Sequence, residues 1–477
     1  MPKTIPLLRG SYQAKSVIAS AQRCVNLYPE IMPPPQDEEV PVTHYPAPGL
    51  ISILPSPSNA SGRGLYLSTN NQLFIVVDDT VYITDQLFNT LNIVGKITPG
   101  TTPVSMTDNG TQLVIVAGKN LGWTYTFQTG EFDQITDPAF SGADYVGYLD
   151  GFTLFNNPGT NFFYSTLANQ IVPFDALYFA QKSGFQDEIV GLICNHREIY
   201  LIGALTSEVW YNAGNPLFPF AIIPGVFIQK GCGAKYSICR HDLFIIFISQ
   251  DKDGHAECWI IEGYKATKVS SPAQEQEWNT YSTVDDATSF IYQFGGHVFY
   301  QTTFISADKT WVYDITTAQW HERTWIDNDG NEHRHRAICA TYAYGKVVCL
   351  DWQNGTLYAF DGNTYTDAGN PIVYRRAFPH LVNSGAMNFY DNFYADMEVG
   401  QSQDGSIPIL TLRWSDDRGE SFKTPLMQSM GQGGSYITSI KFNKLGRARD
   451  RVFELSWSAS VKTALSGAYV QVRSAQT

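Results

Sequence analysis

Charge, paired cysteines and long apolar runs are all scarce in this 477-residue chain, and each scarcity excludes something. Charged residues make up only 16%, well under the roughly one quarter usual in soluble domains, and 45 Asp+Glu against 32 Lys+Arg leave a net charge of −13. That acidic balance excludes broad DNA binding through neutralised phosphates and leaves room only for a local basic patch. The seven cysteines (24, 194, 232, 239, 258, 339 and 349) form an odd set without a C-x-x-C pair. Neither a disulfide framework nor a zinc ribbon fits, so reduced, mostly buried thiols are expected. The longest apolar runs, such as Leu243 to Ile248, are far short of the ~20 residues that cross a bilayer. Residues 1–12 hold no apolar stretch long enough for a signal-peptide core. The expectation is a soluble, cytoplasm-made protein without membrane insertion. Amphipathic helical periodicity is also rare, which excludes a helical fold.

What the chain has in quantity is aromatic and β-branched residues. With 43% apolar residues, 28 Phe, 27 Tyr and 10 Trp, it has the material for a full core, which excludes disorder. Short runs of these residues bounded by Gly, Asn and Asp read as hairpins. Gln72-Leu-Phe-Ile-Val-Val with Val81-Tyr-Ile recurs 40 residues later as Gln112-Leu-Val-Ile-Val with Trp123-Thr-Tyr-Thr. Comparable pairs begin at Gly151, Glu198, Asp242, His297 and Lys346, so the spacing is 39 to 55 residues throughout. Repeats of about 40–50 residues that each supply a four-stranded sheet are the period of a β-propeller, here of about seven blades. Unrelated hairpins in stacked sandwiches are the alternative. Past Pro371 the spacing breaks at Phe378-Pro-His380, and alternating runs such as Ile409-Leu-Thr-Leu-Arg-Trp and Phe453-Glu-Leu-Ser-Trp predict a β-sandwich-like domain. The reading is all-β: an N-terminal extended arm over 1–55, a propeller over 56–370 and a C-terminal β domain over 371–477. Prolines at 33–35, 46 and 48 make the arm extended, either lying on a neighbour or supplying the strand that closes the propeller.

The inventory of chemistry is short. Nucleotide-phosphate loops, H-E-x-x-H and G-x-S-x-G are absent, so no catalytic, cofactor-binding or metal-binding residue is assigned. His333 and His335, with His321 nearby, have the residue type for a metal but no ligand spacing, and read as part of a solvated loop. Asp251-Lys-Asp-Gly254 and Asp327-Asn-Asp-Gly330 place their glycine too early for a calcium loop and read as turns. The Asn-x-Ser/Thr triplets at 59, 109 and 354 read as turns too. Ser415-Asp-Asp417-Arg-Gly419-Glu-Ser-Phe422 fits the Asp-box turn of sialidase-like propellers, which motivates a rival reading as a carbohydrate-binding or sialidase-like virion propeller. A cytosolic propeller scaffold is a third. The sharpest charge feature is the basic segment from Lys441 to Arg451. Its Arg447, Arg449 and Arg451 read either as partner contacts or as a solvated strand paired to Asp450 and Glu454.

Several segments taken together resemble one family. Gly10-Ser-Tyr-Gln13, Arg23, Asn26-Leu-Tyr-Pro-Glu30, Pro46-Ala-Pro-Gly-Leu50 and Arg63-Gly64 open the chain. Gly203-Ala-Leu-Thr-Ser-Glu-Val-Trp210, Ile228-Gln-Lys-Gly231 and Leu243 to Ser249 follow in the middle. Leu445-Gly-Arg-Ala-Arg-Asp-Arg-Val452 and Leu465-Ser-Gly-Ala-Tyr469 end it. In order and spacing these are similar to the packaged-DNA-stabilising tail proteins of short-tailed bacteriophages. The resemblance implies a non-enzymatic tail hub, or nozzle, found in the virion as a hexameric ring below the portal and its adaptor. Such a hub retains the genome and takes part in its ejection. The implied partners are other copies of the chain, the portal adaptor, a tail needle or plug, tailspikes or tail fibres, and double-stranded DNA passing without sequence-specific binding. No cofactor is implied.

Overall fold

Turns carrying Gly, Asn or Asp at positive φ, such as Asp78 and Gly151, fold most of the chain into antiparallel four-strand units. The computed structural model describes residues 3–8, 22–31, 42–242, 244–399, 407–431 and 438–474. The first unit pairs Gly62–Leu67, Leu73–Val77, Thr80–Thr84 and Leu91–Lys96 in chain order. Units of the same order follow, with first strands Ser105–Asp108, Val146–Leu149, Ile189–Asn195 and Cys239–His241. The last unit joins Ala337–Ala343, Lys346–Asp351 and Leu357–Asp361 to Gly49–Leu54, so an N-terminal strand closes the ring. These six stand as separate sheets. Between the last two, Thr288–Phe294, His297–Phe304, Lys309–Asp314 and Gln319–Ile326 form a further unit that continues into an eleven-stranded sheet.

The fold is therefore the all-β propeller with a C-terminal sandwich that the sequence predicts, and the expected count of about seven blades resolves into six self-contained sheets and one that is shared. The hairpins legible in the sequence are the second and third strands of each unit. The first strands, which follow the inter-blade connections, touch one another around the axis. Glycine allows that approach: a Cβ on Gly64 would lie 2.7 Å from Val104, and one on Gly191 2.2 Å from Ile238. One short helix, Pro272–Trp278, starts at a Ser271–Gln274 capping box and buries Trp278 against Phe304 and Trp320.

The C-terminal domain packs two sheets around Tyr374, Phe393, Leu410, Phe442, Phe453, Leu455 and Val470. One sheet is ordered Leu27–Ile31, Val42–Pro46, Thr463–Ser474, Asn388–Val399, Thr438–Asn443, with Lys3–Pro6 also on Thr463–Ser474. The other holds Tyr374–Ala377, Asp450–Ser458, Ile409–Ser415 and Leu426–Ser429, the far end of the eleven-stranded sheet. What joins it to the propeller is the two-residue strand Cys24–Val25, parallel to Gln319–Ile326 on one side and antiparallel to Tyr374–Ala377 on the other. The segment expected to be an arm is thus divided between sandwich, junction and ring closure, while Pro33–Pro35 lies outside the described residues. Pro29 is accommodated because Leu27–Ile31 is an edge strand, where a missing N–H costs no ladder bond.

Asn26 fixes this junction. It holds φ at 57°, its Nδ2 donates to Val373 O at 2.9 Å, and its Oδ1 accepts from Thr324 N at 3.0 Å. Asn26→Ala and Asn26→Gly both leave Thr324 N and Val373 O short of a partner, a loss of about 1–3 kcal/mol. Urea unfolding followed by tryptophan fluorescence is expected to show both midpoints lowered, alanine further than glycine because only alanine strains the left-handed backbone.

Candidate functional site

Around the Cys24–Val25 strand lies a chain of alternating charges. Arg23 donates two parallel bonds to Glu322, Nε at 2.8 Å and Nη2 at 2.7 Å, and reaches Glu332 at 3.3 Å. Arg375 pairs with Glu332 at 2.7 Å and with Glu454 at 3.4 Å, and Arg413 adds a 2.6 Å pair to Glu454. Glu322 and Glu332 belong to the shared propeller sheet, Arg375, Arg413 and Glu454 to the sandwich. The bidentate geometry fixes direction as well as distance, so the network sets how the two domains face each other. Arg23 and Asn26, two of the residues carrying the family resemblance, have internal structural work.

The basic segment divides. Arg447 sits in the two-residue strand Arg447–Ala448 beside Asn388 and Phe389, and Arg447 and Arg449 are both exposed. Among the described residues neither side chain forms an ion pair or hydrogen bond, and Asp450 and Glu454 are taken by Arg418, Arg375 and Arg413. Arg451 is buried to 1% exposure. It pairs with Asp416 through Nε at 2.6 Å and Nη2 at 3.0 Å, and its guanidinium lies 4.5 Å from the Tyr390 ring. Arg451 has no surface to offer a partner, because its charge holds the Asp416 turn onto the sandwich.

That turn is the Asp-box-like motif. Ser415 Oγ accepts from Gly419 N at 2.7 Å and Asp417 Oδ1 from Ser421 N at 2.9 Å, while Arg413 covers the Phe422 ring at 4.3 Å. Hydrogen bonds from Ser415 and Ser421 hold the Asp417 carboxyl down to about 2. The motif links Ile409–Ser415 to Leu426–Ser429 in the sandwich, not two strands of a blade.

The histidines are not a solvated cluster. His333 lies between Asp308 at 2.7 Å and Asp327 at 3.1 Å, which raise its pKa. His335 and His321 are buried, the former 2.8 Å from Arg323 Nη2. Burial drives His321 down to about 3 and His335 and His44 well below the usual histidine value. The expectation of a loop fails for these because His321 lies within the Gln319–Ile326 strand and His335 stands two residues before the strand Ala337–Ala343 that opens the next blade. Asp251, Asp253 and His255 approach one another, but Asp251 Oδ1 already accepts the amides of Asp253 and His255, as a turn requires. Burial pushes the thiols of Cys24, Cys194, Cys232 and Cys339 up to about 12, and all seven cysteines are free, as expected from their spacing.

One face of the propeller opens around the axis into a bowl of about 780 Å³. Its rim carries Asp144, Glu188, Asp251 and Asp285 against Lys119 and Lys235, on connections between blades and between middle strands. Nothing in the sequence distance between these residues signals that they meet.

A propeller whose own N-terminal strand welds it to a sandwich defines a two-domain all-β protein. The chain belongs to the bacteriophage packaged-DNA-stabilising family. The family model described as bacteriophage P22 Gp10, beta-propeller, matches residues 3–365, and the one described as bacteriophage P22 Gp10, beta-sandwich, matches residues 374–473. It is accordingly a structural phage tail protein of packaged-DNA stabilisation, of a family not known for enzymes, assembling with other virion proteins. No curated protein matches the sequence. Among solved structures, the designed Ika8 protein aligns at TM-score 0.37 and 15% identity over 71% of this chain and 99% of its own. A chain of the mitotic checkpoint complex aligns at 0.42 and 10%, over 69% and 95%. The extracellular domain of the one-component system BT4673 from B. thetaiotaomicron aligns at 0.45 and 8%, over 82% and 47%.

Two measurements check this account. Arg451→Ala strips Leu445 O of its cation, leaves Asp416 with the exposed Lys423 alone and is expected to cost about 2–3 kcal/mol, whereas Arg447→Ala and Arg449→Ala stay within about 0.5 kcal/mol in denaturant titrations. For pH, His321 is held neutral in the fold, so the unfolded chain binds the proton first. Its contribution is present above about pH 6.5 and is lost as pH falls towards its folded value near 3, at up to about 1.4 kcal/mol per pH unit. Asp314, Arg323 and His297 are the charges that face it. His321→Gln is expected to flatten the fall in unfolding midpoint between about pH 6 and 4 relative to the wild type.

Proposed function

We propose that this protein is a tail hub, or nozzle, that forms a hexameric ring below the portal–adaptor complex, closes the DNA channel, retains the packaged genome and takes part in its release. The observation that carries this reading is the match of both domains, in order, to one phage family. The adaptor, a needle or plug, and tailspikes or fibres are the proposed partners, with DNA passing unread. The net charge of −13 favours a surface that holds DNA without adhering to it. Ring closure requires head-to-tail contacts, in which one surface meets a different surface of the next copy. Arg447 and Arg449, exposed and without intrachain partners among the described residues, are the proposed cationic contacts, and Arg451 supports them by anchoring the turn beneath. The carbohydrate-binding reading loses its motivation, because the Asp-box-like turn ornaments the sandwich and not a blade.

Quantitative mass spectrometry of purified particles tests the ring: about six copies are expected per portal ring, and absence from particles overturns the proposal. Arg447→Ala with Arg449→Ala is expected to yield particles that lose DNA on storage, measured as nuclease-accessible genome. Full assembly and retention in that variant would remove the arginines from the interface and leave the ring standing.

A further inference from the structure

The fourth strand of the third unit, Phe179–Gln181, is an open sheet edge at the propeller rim, and an apolar strip runs beside it. Leu177 is 77% exposed and Phe179 50%, with the Phe162 ring 5.7 Å from that of Phe179. Leu217, 85% exposed, extends the strip onto the fourth unit, because its neighbour Phe218 lies 6.4 Å from the Tyr178 ring. Large apolar side chains left in water side by side along a sheet edge mark a surface that another chain covers.

The charges around the strip select that chain. Residues 120–181 hold six carboxylates and no Lys, Arg or His. Asp144 pairs with Lys235 and Asp150 with Arg197. Glu131, Asp133, Asp137 and Asp175 have no cation among the described residues, and the flanking Lys96 and Lys182 are held by Asp79 and Asp187. Asp137 accepts the amide of Phe174 at 3.0 Å, which brings the rim of the second unit against that of the third, so the four carboxylates border one surface. An apolar strip with an anionic border fits a partner that presents exposed cations beside an aromatic ring.

The chain carries such a surface itself, on the sandwich. Lys441, Lys444, Arg447 and Arg449 are exposed and form no ion pair among the described residues, and Arg447 stands opposite Phe389, which is 37% exposed. The strand that opens this segment, Thr438–Asn443, ends its sheet on the side away from Leu27–Ile31, the strand that leads out of the weld. In the propeller, the second and third units each stand three places from the sixth, to which the sandwich is joined, and so form the far side of a ring of seven. Acidic rim and basic edge are both turned from the weld, and they meet between copies rather than within one.

We infer that the sandwich edge of one copy, through Arg447, Arg449 and Phe389, docks on the acidic apolar rim of the second and third propeller units of the next copy. The two surfaces differ, so the contact is head to tail and repeats around a closed ring. The apolar groups supply the buried area, and the charges fix the register and reject a rim facing a rim. The inference rests on the hub reading for the existence of the ring and adds the surface that receives the arginines.

The test uses the full chain in purified particles. A carbodiimide, which joins amines to carboxylates without a spacer, is expected to link Lys441 or Lys444 to Glu131, Asp133, Asp137 or Asp175, with the linked peptides in the dimer band and absent from the monomer band. Asp133→Lys with Asp175→Lys, and separately Arg447→Glu with Arg449→Glu, are each expected to lower the copies of this chain per portal ring about tenfold or more, because like charges then face each other. All four substitutions together are expected to restore the copies. These positions are exposed, so each purified variant is expected to melt as the wild type does, and the cross-link map of the wild type decides for any that does not. Full copies in Asp133→Lys with Asp175→Lys, no recovery when all four are combined, or links from Lys441 and Lys444 to another protein or another face overturn the inference while wild-type particles holding about six copies keep the hub reading. Absence of the chain from wild-type particles overturns both.

Discussion

The structure depends on a ladder two residues long. Gln319–Ile326 is the outer strand of its blade and Tyr374–Ala377 the outer strand of a sandwich sheet, and each alone presents a row of unpaired N–H and C=O groups. Cys24–Val25 inserts between them and pairs with Glu322 of the one and Arg375 and Arg376 of the other. So short a strand has little strength of its own, which is why its neighbours on either side do so much. Arg23 grips Glu322, Asn26 bonds both domains, and Leu27–Ile31 passes directly into the second sandwich sheet. A hinge between propeller and sandwich would have to break all of these together, so the two domains turn as one body.

The scarcity of charge acquires a meaning at this junction. Arg23, Glu322, Glu332, Arg375, Glu454 and Arg413 form one alternating series across the weld. Buried and half-buried pairs of this kind contribute little net stability, because desolvation offsets most of their attraction, but a mispaired member is costly. The series therefore acts on orientation. A twisted or slipped docking leaves at least one charge stranded, whereas apolar packing alone would tolerate the slip.

The sequence made the middle of each blade legible and the rest much less so. Leu73–Val77 or Phe244–Gln250 are buried on both faces and read as continuous apolar runs. First and fourth strands such as Cys239–His241 or Phe179–Gln181 have three residues, too few for any period to show. The N-terminal segment was legible as extended but not as to where it goes, since Arg23 finds its partner 299 residues away and no local pattern encodes that. Arg451 illustrates the same limit at one residue's scale. Strand alternation puts 447, 449 and 451 on one face, yet Arg449 falls at a bend between two short pairings, so the register restarts and Arg451 turns inward. His321 and His335 show the same limit: each is polar by type, but packing within the shared sheet and just ahead of the next blade buries it.

The inner ring constrains what the protein can do with DNA. Its first strands approach so closely that Gly64 and Gly191 have no room for a Cβ, and the axial cavity holds about 160 Å³. The major groove of a duplex is alone about 12 Å wide, so no duplex threads the axis of a single propeller. The proposed hub would therefore meet the genome on an outer surface. In the proposed ring, a passage for the duplex would run between copies, walled by blade rims or sandwich faces. In that proposed ring, rigidity at the Cys24–Val25 weld would matter beyond stability, because a channel bounded by several copies keeps its bore only if each copy holds its two domains at a fixed angle.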